Sequence, residues 1–221
     1  MTASPSVSAS EVARRLEALR ARIDAVGGNG VVRIVAVTKG FDESAPRAAL
    51  ACGLTMFGEN YAQELVAKDE ALMPTERDRV EWHFIGRLQR NKVRLLAGTV
   101  DVWQSVDRVE LLDEIARRAP GAAVMVQVDL SDDPRRGGTS PDRVGGLVAH
   151  GRSLGLDVRG LMAVGPVGPP EAARPGFRRV VALADEYRLT ERSIGMSGDL
   201  EVAVAEGATM VRIGTALFGH R

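Results

Sequence analysis

The stretch VVRIVAVTKG, residues 31–40, decides how the chain is read: an apolar run from Val31 is followed at once by Lys39 and Gly40. The run is short and rich in β-branched residues, so it reads as a strand over Arg33 to Thr38 with a lysine at its carboxyl end. Seven further runs of this kind follow, at Leu54 to Gly58, Glu81 to Ile85, Val100 to Ser105, Ala123 to Asp129, Asp157 to Ala163, Arg192 to Met196 and Thr209 to Ile213. Helical patterns lie between them, near Ala45 to Ala51, Ala62 to Leu72, Leu88 to Ala97, Arg108 to Arg118, Pro141 to Leu154, Glu171 to Tyr187 and Leu200 to Glu206. Ahead of the first strand, Val12, Leu16, Leu19 and Ile23 recur at three and four residues, Ser8 or Ser10 can cap the helix, and Gly27 and Gly28 end it. Alternating strands and helices make a parallel sheet, and eight such units in about 200 residues are expected to close into a (β/α)8 TIM barrel with an additional N-terminal helix. A doubly wound open sheet is the alternative. No repeat, low-complexity tract or interdomain linker interrupts the pattern, so residues 1–221 are expected to form a single domain.

Composition narrows the function classes. Lys plus Arg and Asp plus Glu are equal at 29 each, so no net field favours nucleic acid or an anionic membrane. The chain has 45% hydrophobic and 26% charged residues, the balance of a folded soluble protein. Cys52 has no partner for an internal disulfide, and the histidines show no metal-ligand spacing, so a cytoplasmic protein without a metal is expected. Neither a signal-peptide core nor a membrane-spanning apolar run is found, and no membrane association is expected.

Active sites of such barrels collect where the βα loops meet, at the carboxyl ends of the strands, and Lys39 stands at one. A lysine there can lay its stem on the core and reach water. In a partly apolar mouth its amine is instead a nucleophile able to form an imine with an aldehyde. The second clue is the end of the chain. Ser197, Gly198 and Asp199 follow the seventh strand, and Gly214 and Thr215 follow the eighth ahead of a short segment, Ala216 to Phe218. The loops after strands seven and eight often hold phosphate in these barrels, with glycine admitting close backbone approach and Ser197 and Thr215 adding hydroxyls. Ser197 and Asp199 taken singly are equally readable as helix caps. Arg212 is a charge between Val211 and Ile213 in an apolar strand, where burial without a partner is costly, so it is expected to face the mouth and bind something.

An imine-forming lysine, a phosphate cradle and an arginine between them are the parts of a pyridoxal 5'-phosphate (PLP) site. At these residues the chain also resembles a known family. VAVTKG, FGENYAQE, WHFIGRLQRNK, GLMAVG and GMSGDLEVAVAEGATMVRIGTALFG are similar to the corresponding segments of the PLP homeostasis proteins, the YggS/PROSC family, from the first strand to residue 219. The resemblance implies a single-domain barrel like the N-terminal domain of alanine racemase. It also implies PLP held on Lys39 as an aldimine, phosphate taken by Ser197 and the amides of Gly214 and Thr215, and Arg212 facing the pyridine nitrogen. Two positions depart from the family: Arg87 stands where proline is common and Gly40 where threonine is common, so a loop near the cofactor is expected to differ.

Other residues in these motifs have two readings each. Asn60 can face the cofactor ring or its O3', or tie down the second βα loop. Glu59 reads as a loop or helix-start charge. His83, mid-strand, reads as a hydrogen-bonded interior histidine ahead of a catalytic base. Trp82, Trp103 and Phe84 read as core residues, and Met162 as packing that can line the pocket. The glycines and prolines of AVGPVGPPEAARPG, residues 163–176, form a long loop, either a surface excursion or part of the functional rim. In DDPRRGG, residues 132–138, Arg135 and Arg136 can meet an anionic partner.

Arg212 also bears on chemistry. PLP enzymes that make well-stabilised carbanions place a carboxylate at the pyridine nitrogen, whereas an arginine only donates and leaves the ring a poorer electron sink. Alanine racemase offsets this with a second base from another domain, and here neither Tyr61 nor Tyr187 is an obvious replacement. The reading is therefore a PLP-binding homeostasis protein without catalytic residues, with PLP-dependent apoenzymes as recipients and a monomer expected. An amino-acid racemase is the alternative, ahead of a lysine-imine aldolase or an interaction scaffold.

Overall fold

The computed structural model describes residues 7–28, 30–130 and 136–219. The chain begins with helix α1, Ala9–Ala25, then alternates. β1 is Arg33–Val37, α2 Ser44–Ala51, β2 Met56–Glu59, α3 Ala62–Ala71, α4 Pro74–Arg77, β3 Glu81–Phe84, α5 Arg90–Leu96, β4 Val102–Val106 and α6 Val109–Arg118. The second half continues with β5 Ala123–Val128, α7 Val144–Ser153, β6 Asp157–Ala163, α8 Arg174–Glu186, β7 Glu191–Ser193, α9 Leu200–Ala205, β8 Met210–Ile213 and α10 Thr215–Phe218. Each strand pairs in parallel with the next, and β8 returns to β1 in register Val35 to Arg212, so the sheet closes. The expected (β/α)8 barrel with an added N-terminal helix is the observed fold, and the open sheet is excluded.

Helix α1 buries the expected stripe, Val12, Leu16, Leu19 and Ile23, against α2, α9 and α10. Its carboxyl end closes as the paired glycines suggest. Gly27 turns left-handed at φ 88°, its N–H bonds the Asp24 carbonyl, and that of Gly28 bonds the Ile23 carbonyl at 3.0 Å. Ser8 occupies the N-cap position, but its hydroxyl bonds that of Ser10 at 2.8 Å, not the helix backbone.

Strand residues alternate between two cores, as the period of two requires. Outward-facing Phe57, Trp82, Trp103, Val124 and Leu161 join the layer between strands and helices. A smaller apolar cluster inside the barrel contains Val102, Ala123, Met125 and Met162. Trp82, Trp103 and Phe84 are thus core residues, as expected.

Several boundaries differ from the sequence reading. β4 starts at Val102 because the amides of Thr99 and Val100 still bond the Leu96 carbonyl and prolong the turn after α5. β7 ends at Ser193, ahead of Gly195, which turns the chain at φ 94°. Helix α4 was not foreseen, although Pro74 at its start and Glu76, which accepts the Met73 N–H at 2.8 Å, are start signals.

Candidate functional site

A cavity of about 540 Å³ opens at the carboxyl ends of the strands, within the range of small-molecule sites. Lys39, Asn60, Ser197, Arg212, Gly214 and Thr215 all line it. The structure therefore brings these six candidate residues together. Lys39 lies two residues past β1, half-buried, where the strand gives way to a turn at Gly40 with φ 74°. Glycine suits that left-handed conformation better than a β-branched residue would.

Glu59 is not the loop charge expected. It is the last residue of β2 and fully buried, paired with Lys68 of α3 and accepting the Thr38 hydroxyl at 2.6 Å. Burial pushes its carboxyl up from the usual range, against the opposing pull of the Lys68 charge and hydrogen bond and of the Thr38 bond. Lys68 carried a legible signal, since Ala62, Leu65, Lys68 and Leu72 share one buried helical stripe.

Arg212 is buried at 4% exposure and held by three acceptors. One terminal nitrogen donates to the Ser193 carbonyl at 2.5 Å and to its hydroxyl at 2.8 Å, and the other donates to the Ala163 carbonyl at 2.8 Å. Burial lowers its pKa to about 10, with Asp199 acting in the opposite direction, so it remains charged at neutral pH. A chain of buried polar groups runs from it down the barrel, and the direction of each bond follows from its end. The guanidinium only donates, so the Ser193 hydroxyl gives its own hydrogen to Gln104 Oε1, 2.7 Å away. The Gln104 amide nitrogen then faces His83 Nδ1 at 2.6 Å, and His83 carries its proton on Nε2, toward Glu81 at 2.7 Å. His83 is thus the interior, hydrogen-bonded histidine expected. Its bond holds the Glu81 carboxyl below the usual range, against partial burial.

Beyond the ends of the same two strands, Ser197 Oγ accepts the Ala216 N–H at 3.4 Å, which links the loop after β7 to the turn after β8. Asp199 is at the N-cap position of α9, yet its carboxylate reaches back to the Met196 N–H at 2.6 Å and braces the same loop. Asn60 lines the same cavity. Its backbone abuts Gly86, where an added Cβ would fall 2.0 Å from the Asn60 carbonyl oxygen, while its side-chain Oδ1 is buried without a hydrogen-bond partner.

Sequence reasoning missed part of the wall. Gln127 lines the cavity from β5 and holds the Arg136 carbonyl at 2.9 Å; a glutamine in the run AVMVQV was the available signal. Arg87, a departure from the resembled family, and Arg136 line it as well. Arg136 donates to the Gly165 carbonyl at 2.5 Å, so the glycine- and proline-rich loop belongs to the rim. Arg135 lies outside the described residues. Met162 both packs in the inner cluster and lines the cavity. Among the described residues no group of metal-ligating side chains exists, and no helix is long and apolar enough to cross a membrane.

Comparison with known proteins gives a consistent set of relatives. The family described as "Alanine racemase, N-terminal domain" matches residues 7–221. A protein of Aquifex aeolicus named "Pyridoxal phosphate homeostasis protein" is 39% identical over 223 residues, covering 95% of this chain and 96% of that one. The protein of the same name from Escherichia coli K12 is 37% identical over 201 residues, with 86% of each chain covered. Among solved structures, PipY of Synechococcus elongatus with PLP bound superimposes at a TM-score of 0.84 and 35% identity over 94% of this chain and all of that one. Alanine racemase of Clostridium difficile 630 shares the fold at a TM-score of 0.76 and 13% identity, over 97% of this chain and 58% of that one.

Proposed function

The chain belongs to the pyridoxal phosphate homeostasis proteins, within the family of the alanine racemase N-terminal domain, and from that premise we propose that its cavity holds PLP through a covalent carbon–nitrogen link to Lys39. The observation that carries this reading is the placement of the lysines. The lysines of the chain are Lys39, Lys68 and Lys92. Lys39 lines the cavity, Lys68 is buried in an ion pair, and Lys92 belongs to α5.

The residues present fit the cofactor. The orphaned Oδ1 of Asn60 is a buried polar atom that a ligand would satisfy. Ser197, Gly214 and Thr215 offer hydroxyls and close backbone on the wall formed by the loops after β7 and β8, which suits a phosphate. When bound, PLP supplies an aldehyde that condenses reversibly with amines and a ring that delocalises charge. Arg212, fixed by three acceptors and charged at neutral pH, has only N–H groups to present, so against a bound ring nitrogen it would favour the unprotonated form and leave the ring a weak electron sink.

Storage and transfer fit this wall better than turnover. Among the described residues no tyrosine lines the cavity: Tyr61 is exposed, and Tyr187 packs on Gly145 of α7. The shared name of its relatives accords with a PLP homeostasis protein, and amino-acid racemisation is not favoured. In this reading residues 1–221 are one cofactor-binding domain that acts in the cytoplasm as a monomer and delivers PLP to apoenzymes. The test is absorbance of the purified protein with added PLP. The long-wavelength band of a lysine-bound cofactor is expected in wild type and not in Lys39→Ala.

A further inference from the structure

The pair formed by Lys68 Nζ and Glu59 Oε1 has side-chain exposures of 5% and 0%. Desolvating two charges is costly, and apolar residues of similar volume often serve a core as well. What the pair touches gives it a purpose. Lys68 Nζ donates to the Thr38 carbonyl at 2.8 Å, and Glu59 Oε1 takes the Thr38 hydroxyl at 2.6 Å. Glu64, 3.5 Å from Lys68 Nζ, accepts the Gly40 N–H at 2.7 Å. Thr38 and Gly40 are the residues on either side of Lys39. The backbone is thus pinned immediately before and after the lysine by one cluster, contributed by β2 and α3 of the neighbouring unit.

We propose that Lys68, Glu59 and Glu64 are positioning residues for Lys39: they fix the turn at residues 38–40 so that the Lys39 amine enters the cavity in the orientation needed to attack a bound aldehyde. The proposal rests on Lys39 as the attachment point. In that step the Nζ lone pair forms the new bond to the aldehyde carbon, the carbon–oxygen bond breaks, and the oxygen leaves as water with the two amine protons. Orientation governs the rate of such a step, and a misplacement of about 1 Å can cost on the order of a hundredfold. Lys68 itself does not compete, because its ammonium is committed to Glu59, Glu64 and the Thr38 carbonyl.

The experiment measures two quantities in each protein: the rate at which PLP is captured, mapped to its lysine by borohydride reduction, and the affinity for the analogue in which CH2OH replaces the aldehyde. Glu64→Ala removes the acceptor for the Gly40 N–H at a partly exposed position and is expected to slow capture by about tenfold. Glu64→Gln keeps an oxygen for that N–H and is expected to restore the rate. Glu59→Gln combined with Lys68→Met removes both buried charges together and is expected to slow capture by about tenfold to a hundredfold. Affinity for the alcohol analogue should be unchanged throughout. Capture at the wild-type rate in Glu64→Ala overturns the proposal, as does loss of analogue affinity in step with capture, which would make the cluster a support for the whole pocket. If the double variant does not fold, the Glu64 pair decides the matter. Reduction of wild type at a lysine other than Lys39 would remove the premise as well, an outcome distinct from normal Lys39 capture unaffected by the variants.

Discussion

Ser193→Ala deletes one oxygen atom from the middle of the buried polar chain, and its cost can be worked out from the bonds that atom makes. Ser193 Oγ accepts from Arg212 at 2.8 Å and donates to Gln104 Oε1 at 2.7 Å, with Ser193 and Gln104 fully buried. Arg212 keeps the Ser193 and Ala163 carbonyls, so it loses one of three acceptors. Gln104 Oε1 loses the donor it has in Ser193. A hydrogen bond to a charged group contributes about 1.5 to 3 kcal/mol, and stranding a buried acceptor costs about 1 to 3 kcal/mol. The two overlap, because Arg212 is only partly deprived, and we expect a net loss of roughly 2 to 4 kcal/mol. That is a large share of the about 5 to 15 kcal/mol by which domains are stable. For a chain of this length it corresponds to a fall in melting temperature of roughly 5 to 15 °C. Urea titration is the assay, read as a shift in midpoint at constant slope. Ser153→Ala is the control, since it makes the same chemical change where the hydroxyl bonds the His150 carbonyl at an exposed position of α7, and it should move stability by less than about 0.5 kcal/mol. A Ser193→Ala protein as stable as that control would refute the assigned chain, and with it the derived tautomer of His83.

Three further outcomes follow from the same geometry. Ser197→Ala removes a hydroxyl from the phosphate wall and should weaken PLP by about 1.5 to 3 kcal/mol in isothermal titration, while leaving the weak binding of pyridoxal unchanged. With common amino acids the loaded protein should turn over far below about 10 per second, the median for enzymes, and nitrogen-15 spectra of labelled cofactor should report an unprotonated ring opposite Arg212. Glu114 of α6 is held down to about 2 by Arg118 and Arg117, so its contribution to stability is present above 4.5, its ordinary value, and is lost as pH falls toward about 2. Glu114→Gln should accordingly be less stable than wild type at neutral pH, and the difference should close on acidification in paired urea titrations.

The architecture was legible because each strand is a short apolar run and each helix shows one stripe, a pattern with few closed solutions. Lys39, Ser197 and Arg212 were legible because charge or hydroxyl chemistry stands at strand ends or inside an apolar run, where packing alone does not call for it. The polar chain was not, because Gln104, His83 and Ser193 belong to three different strands, and nothing local says that they face one another across the barrel. Glu59 was misread for a related reason. Next to Asn60 and Tyr61 a carboxylate resembles a loop charge, and its burial depends on Lys68, nine residues away on the inward stripe of the next helix. Arg87 and Arg136 reach the cavity from loops whose course is set by long-range packing.

The central claim, that this barrel holds PLP on Lys39, is tested most directly by reducing the PLP-loaded protein with borohydride and mapping the modified peptide by mass. With Lys39, Lys68 and Lys92 as the lysines of the chain, the outcome is unambiguous. The account predicts that the pyridoxyl mass lies on the peptide containing Lys39. A pyridoxyl group on Lys68 or Lys92, or loaded protein with no modified lysine, would contradict it.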